Sequence, residues 1–84
     1  MKLKVLYFAS LREALGSAEE LVEVPPGIAS VAALRGFLAA RGAGVPALAA
    51  GRNVRAAVNQ QMVAGDAAIA EGDEIAFFPP VTGG

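Results

Sequence analysis

The sequence predicts an α+β fold of the β-grasp type, a mixed sheet curled around one main helix. Three observations carry that expectation. Apolar and β-branched runs with period two mark strands at residues 2–8, 19–24, 54–59, 61–63 and 73–78. A single long helical period starting at Ser30 separates the two strand groups. The strands cluster in pairs and do not alternate with helices, which disfavours a doubly wound parallel sheet. The predicted order is β, short α, β, α, β, β, β, with the first and last strands side by side in the middle of the sheet.

Each element has its local reason. In KLKVLYF, residues 2–8, Leu3, Val5 and Tyr7 face one way and Lys2, Lys4, Leu6 and Phe8 the other. Ser10-Leu11-Arg12-Glu13 has capping-box spacing, so Ser10 is expected to cap the backbone of residue 13 while Glu13 reaches back, opening a short helix that stops near Gly16. EELVEV, residues 19–24, turns Val22 and Val24 inward and ends at Pro25-Pro26-Gly27. From the N-cap Ser30, the residues Val31, Leu34, Phe37, Leu38 and Arg41 recur at helical spacing, and Gly42 is the expected stop. Gly36 lies off that stripe, where it costs roughly 1 kcal/mol relative to Ala. Residues 43–53 read as a connector around Pro46. Val54, Ala56 and Val58 share a face, Asn59-Gln60 turns the chain into Gln61-Met62-Val63, and Glu71-Gly72 leads into a last strand with Ile75 and Phe77 inward. By parity Phe8 and Phe78 point away from the helix.

Composition narrows the function. With 84 residues, 55% hydrophobic and 18% charged, the chain is expected to fold as one domain over residues 1–84, with no room for a second, catalytic one. A net charge of −1 without any Lys/Arg run offers no footprint for nucleic acid or an anionic membrane. The N-terminus lacks the pattern of a secretory signal and no apolar segment is long enough to span a bilayer, so a cytoplasmic location is expected. The sequence contains no Cys and no His, which removes disulfides, zinc clusters, thiol nucleophiles and the commonest general base. Glu19, Glu20, Glu23, Glu71, Asp73 and Glu74 fall at strand ends or on solvated faces and are expected to form a solvated surface with no chemical role.

The ending Pro79-Pro80-Val81-Thr82-Gly83-Gly84 offers a different chemistry. Two prolines remove backbone donors and fix φ, so the ladder cannot continue and residues 79–84 form a flexible tail with a reach on the order of 20 Å. Gly83 and Gly84, lacking Cβ, can pass a narrow channel in a partner. A terminal carboxylate resists nucleophiles until it carries a leaving group such as AMP, which sulfur can then displace. Such a reagent needs neither His nor Cys of its own. Gly-Gly by itself is a weak signal, since frayed termini are often glycine-rich; the strand order and the Pro-Pro exit strengthen it.

The stretch EGDEIAFFPPVTGG, residues 71–84, resembles the C-terminus of the MoaD family, the small subunits of molybdopterin synthase. Residues 5–13, VLYFASLRE, look like that family's first strand and helix, and AVNQ, residues 57–60, like its central hairpin. Residues 25–53 add little. The resemblance implies a ubiquitin-like sulfur carrier of molybdenum cofactor biosynthesis, not an enzyme on its own but the sulfur-donating subunit of a sulfurtransferase. It implies that a MoeB-like adenylating enzyme consumes ATP to form a transient C-terminal AMP adduct on Gly84, and that a sulfurtransferase loads sulfur there. The thiocarboxylate would then enter a MoaE-like large subunit, within a heterotetramer, and supply the dithiolene of molybdopterin. In this scheme Gly84 reacts, Gly83, Thr82 and Val81 give the tail access, and Phe8, Phe78, Arg12, Pro79 and Pro80 meet the partner; no metal or resident cofactor is involved. Two alternatives use the same terminus: a thiamine-pathway sulfur carrier, against which FFPPVTGG argues, and a protein modifier, for which only Lys2 and Lys4 could extend chains. A third is an interaction domain with an inert tail.

Overall fold

In the computed structural model, Leu3, Val5 and Tyr7 of strand β1 (Lys2–Tyr7) lie on the buried face of a five-stranded sheet. The structure describes residues 1–41 and 54–79, and side chains of all these except Ser10, Ala14 and Leu15. The expected helix stop at Gly42, the connector 43–53 and tail residues 80–84 lie outside the described residues. β1 pairs antiparallel with β2 (Glu19–Glu23) and parallel with β5 (Glu74–Phe78). β3 (Arg55–Val58) runs antiparallel to β5, and β4 (Gln61–Val63) antiparallel to β3, giving the order β2-β1-β5-β3-β4. The first and last strands are therefore central neighbours, as the element order predicts, and the mixed sheet with its helices is a β-grasp fold.

Helix α2 (Val31–Ala39) buries Val31, Leu34 and Leu38 against the face that also holds Val22, Ala56, Ile75 and Phe77. Phe77 and Tyr7 stack at 6.5 Å between ring centroids. Ser30 caps α2 as expected, its hydroxyl accepting from the Ala33 N–H at 3.1 Å. The helix closes at Ala39, with Ala40 at the cap position, ahead of Gly42.

Helix α1 (Ser10–Leu15) departs from the expected capping box. Ala9, with φ 51° and ψ −125°, holds the cap position, and Ser10 is already the first helical residue. The reason is the turn that feeds the helix. The Leu11 N–H donates to the Phe8 carbonyl at 3.1 Å, closing a four-residue reversal in which Ala9 takes the first central position of a type II′ turn. The reversal leaves no separate N-cap residue for Ser10 to be. At the other end Gly16 adopts the left-handed C-cap with φ 73°, as expected.

The acidic residues mostly tie elements together. Asp73 accepts from the Ala70 N–H at 2.8 Å and from Asn59 Nδ2 at 3.1 Å, while Asn59 Oδ1 accepts from the Glu74 N–H at 3.0 Å. Asn59 and Gln60, at φ 49° and 72°, form the tight turn between β3 and β4. Glu20 is more than a solvated charge: it stands opposite Val5 on the helix side, and its Oε1 accepts from the Tyr7 hydroxyl at 2.7 Å and from Arg41 Nη2 at 2.5 Å. That triad joins β1, β2 and the turn after α2. Among the described residues no helix is long and apolar enough to cross a membrane.

Candidate functional site

Among the described residues no helix covers the sheet face opposite α2, and the register shows what that face presents. Leu6 stands opposite Ala76, Ala76 opposite Ala57, and Ala57 opposite Met62, so one apolar row crosses four strands. Ala76 and Ala57 are only 7% and 4% exposed although they lie outside the core cluster. Met62 remains 58% exposed at the end of the row.

At the end of the face where the chain leaves the sheet, Phe8 and Phe78 stack with ring centroids 4.8 Å apart and planes within 9°. The parallel ladder continues one residue past β1, because the Phe8 N–H donates to the Phe77 carbonyl at 3.2 Å, which brings the two rings side by side. Phe8 stays 42% exposed even so. Stacking the aromatics on each other removes only part of their surface from water, and the exposed remainder, with Met62 at the far end of the row, is apolar surface of the kind that marks interaction sites. Pro79 follows Phe78 at its rim, half-buried.

The polar surroundings are graded. Lys4, on the same face towards the opposite end, lies 3.3 Å from Glu19 and 4.0 Å from Glu74. Arg12 of α1 is exposed and lines a hollow with Phe8, Leu6 and Glu19. Arg55 is exposed beside Phe78, its partner in the β3–β5 register. A larger groove of about 460 Å³ between α2 and the β3–β4 hairpin has Val31, Ala56 and Phe77 in its lining, with Arg35 and Arg55 as its charged members. Among the described residues it brings together no carboxylate or hydroxyl, so it offers no acid–base chemistry. Among the described residues there is also no group of three or more His, Cys, Asp or Glu able to hold a metal ion.

Of the residues singled out in the sequence, the structure thus gathers Phe8, Phe78, Pro79 and Arg12 at one end of one face. Pro80, Val81, Thr82, Gly83 and Gly84 lie outside the described residues. Sequence reasoning passed over Ala57, Ala76, Met62 and Arg55. A signal for Met62 existed: the two-residue turn Asn59-Gln60 sets Val58 against Gln61 and hence Ala57 against Met62.

Residues 5–84 match the ThiS family. The chain is 43% identical over 82 residues to the molybdopterin synthase sulfur carrier subunit of Escherichia coli (strain K12), covering 98% of this chain and 99% of that protein. Among solved structures, the HVO 2177 protein of Haloferax volcanii superposes with a TM-score of 0.81 at 29% identity, covering 100% of this chain and 87% of that one. A Pyrococcus furiosus protein assigned as subunit 1 of molybdopterin converting factor superposes at 0.73 with 36% identity, covering 96% and 99%.

Proposed function

The chain belongs to the ThiS family, and on that premise we propose that it is the sulfur carrier subunit of a molybdopterin synthase. The observation that carries this reading is its 43% identity, along 98% of its length, to a curated protein of that name. The names of the curated relatives, more than the family's, favour this pathway over a thiamine-pathway carrier.

The reacting group is the carboxylate of Gly84. In a MoeB-like activating enzyme a carboxylate oxygen attacks the α-phosphorus of ATP, pyrophosphate leaves, and the acyl-adenylate forms. Sulfur reduced to the sulfide level by a thiol acting on a sulfurtransferase persulfide, the thiol pair ending as a disulfide, adds as hydrosulfide to the acyl carbon; AMP departs with the bonding pair, the sulfur loses its proton to solvent, and the terminus becomes a thiocarboxylate. Transfer of that sulfur to the dithiolene of molybdopterin, with hydrolysis at the acyl carbon, restores the carboxylate. This chain supplies the reagent and its delivery; the acid–base groups belong to its partners.

Delivery rests on the outer face of the sheet. Phe8 and Phe78, each able to bury about 150–250 Å², seat against a MoaE-like large subunit together with Pro79, Pro80 and Arg12. The chain works as a single domain, and Val81, Thr82 and Gly83 thread the partner's channel behind Gly84. The sheet curls around α2, which turns this face outward, and two small with two large subunits form a heterotetramer in the cytoplasm. The exposed aromatic stack at the root of the tail supports this placement.

Intact mass spectrometry after incubation with ATP, the activating enzyme and a sulfur donor tests the chemistry. The expected result is replacement of one oxygen by sulfur, located on Gly84 by fragmentation. An unchanged mass, with an enzyme shown to be active on another carrier, would overturn it.

A further inference from the structure

The cations of the outer face differ in their surroundings, and exposed Lys2, at the start of β1, lies farthest from the aromatic stack. Lys4 sits between Glu19 and Glu74, so its end of the face carries its own counter-charges. Arg12 and Arg55, at the aromatic end, are exposed, and neither guanidinium has an ion-pair or hydrogen-bond partner among the described residues. Arg55 belongs to the outer face, because Ala56 and Val58 of the same strand pack on the core side. Across the sheet at this end the order is Arg12 on α1, Phe8 after β1, Phe78 on β5 and Arg55 on β3. By register the stack has Arg12 towards one side and Arg55 towards the other, and Arg55 also lines the groove beside α2.

We propose that Arg55 is a second electrostatic anchor of this face, and that the subunit receiving the tail presents a carboxylate to it. The inference rests on the docking reading above and extends it to a residue that neither the sequence motifs nor the tail pointed to. The physical reason is the environment a seated partner creates. On the free chain Arg55 is hydrated. Once an apolar surface closes over Phe78, its immediate neighbour, water is excluded from one side of the guanidinium, and an unmatched charge there opposes association. A carboxylate placed in the partner's rim reverses the sign, and the planar fork of Arg accepts it in a bidentate geometry that Lys cannot reproduce. The chain as a whole carries a net charge of −1, so attraction to an acidic rim must come from this local pair and not from the overall field. Arg55 therefore also selects: a tail-accepting partner without an acid at this position is disfavoured.

Calorimetric titration of the purified large subunit against the full chain tests the assignment at low and high salt, with Arg55→Ala, Arg55→Glu, Arg55→Lys and Phe8→Ala as variants. Arg55→Ala is expected to weaken binding about tenfold and to make its salt dependence shallower. Arg55→Glu should weaken it further and Arg55→Lys fall between, all with melting temperatures near that of the parent because the side chain is exposed. If Arg55→Ala binds within about twofold of the parent, inside the range of ordinary surface substitutions, while Phe8→Ala binds weakly, the Arg55 anchor is overturned and the docking face stands. If Phe8→Ala also binds like the parent, the docking face itself fails and takes this inference with it.

Discussion

Tyr7 reaches from the core to the sheet's edge. Its ring is 2% exposed and stacked on Phe77, while its hydroxyl donates to Glu20, which Arg41 also holds. Burial, and after it the hydrogen bond and negative charge of Glu20, push the phenol above its ordinary pKa; Arg41 pulls the other way and is outweighed. A folded-state pKa above the unfolded one means that the stabilisation is whole below the unfolded value. It is lost as pH climbs through that value towards the folded one, because the unfolded chain gives up its proton first. Denaturant-measured stability should therefore decline above roughly pH 10. Tyr7 is the chain's one tyrosine, so Tyr7→Phe should flatten that decline while costing about 1 kcal/mol at neutral pH. Parallel alkaline limbs in the two proteins would contradict the assignment.

The passage from β1 to α1 shows what an element asks of its entry turn. Position two of a type II′ turn favours glycine, yet Ala9 occupies it at φ 51°. An L side chain there carries strain of about 1–3 kcal/mol, against a glycine entropy penalty of roughly 0.5–1 kcal/mol. Strain is the larger of the two, so Ala9→Gly should raise the unfolding free energy by about 1 kcal/mol. A lower midpoint in urea would refute that balance. The same turn explains the mistaken capping box. Ser10 and Glu13 have the right spacing, but alanine gives no sign of a positive φ, so the pattern registers the helix and not the reversal feeding it. Gly16, Ser30 and Asn59 were legible because those residue types favour the backbone states they adopt, whereas Gln60 takes φ 72° without such a preference. Parity within a single strand sufficed to place Phe8 and Phe78 outward. Arg55, Ala57 and Ala76 join the site only through pairing between strands distant in sequence, which no local pattern encodes.

At the scale of the whole molecule, one sheet serves two purposes through its two faces, and adjacent residues of β5 separate them. Phe77 is fully buried beneath α2, whereas Phe78 is half-exposed against Phe8. A domain of 84 residues has little stability in reserve, of order 5–10 kcal/mol. Phe77→Ala removes a core ring and should cost about 3–5 kcal/mol, enough to bring the chain near its folding threshold. Phe78→Asp should act on the other face alone. Its carboxylate can remain in water on the free chain, so melting should shift only by the amount typical of a surface change. In the complex the same carboxylate would be buried against an apolar partner, and affinity for the large subunit should fall by about a hundredfold or more. Melting curves and calorimetry on the same preparations compare the two effects directly. Should Phe78→Asp lower stability as much as Phe77→Ala, the outer aromatic pair is holding up the fold, and the division of labour between the two faces is wrong.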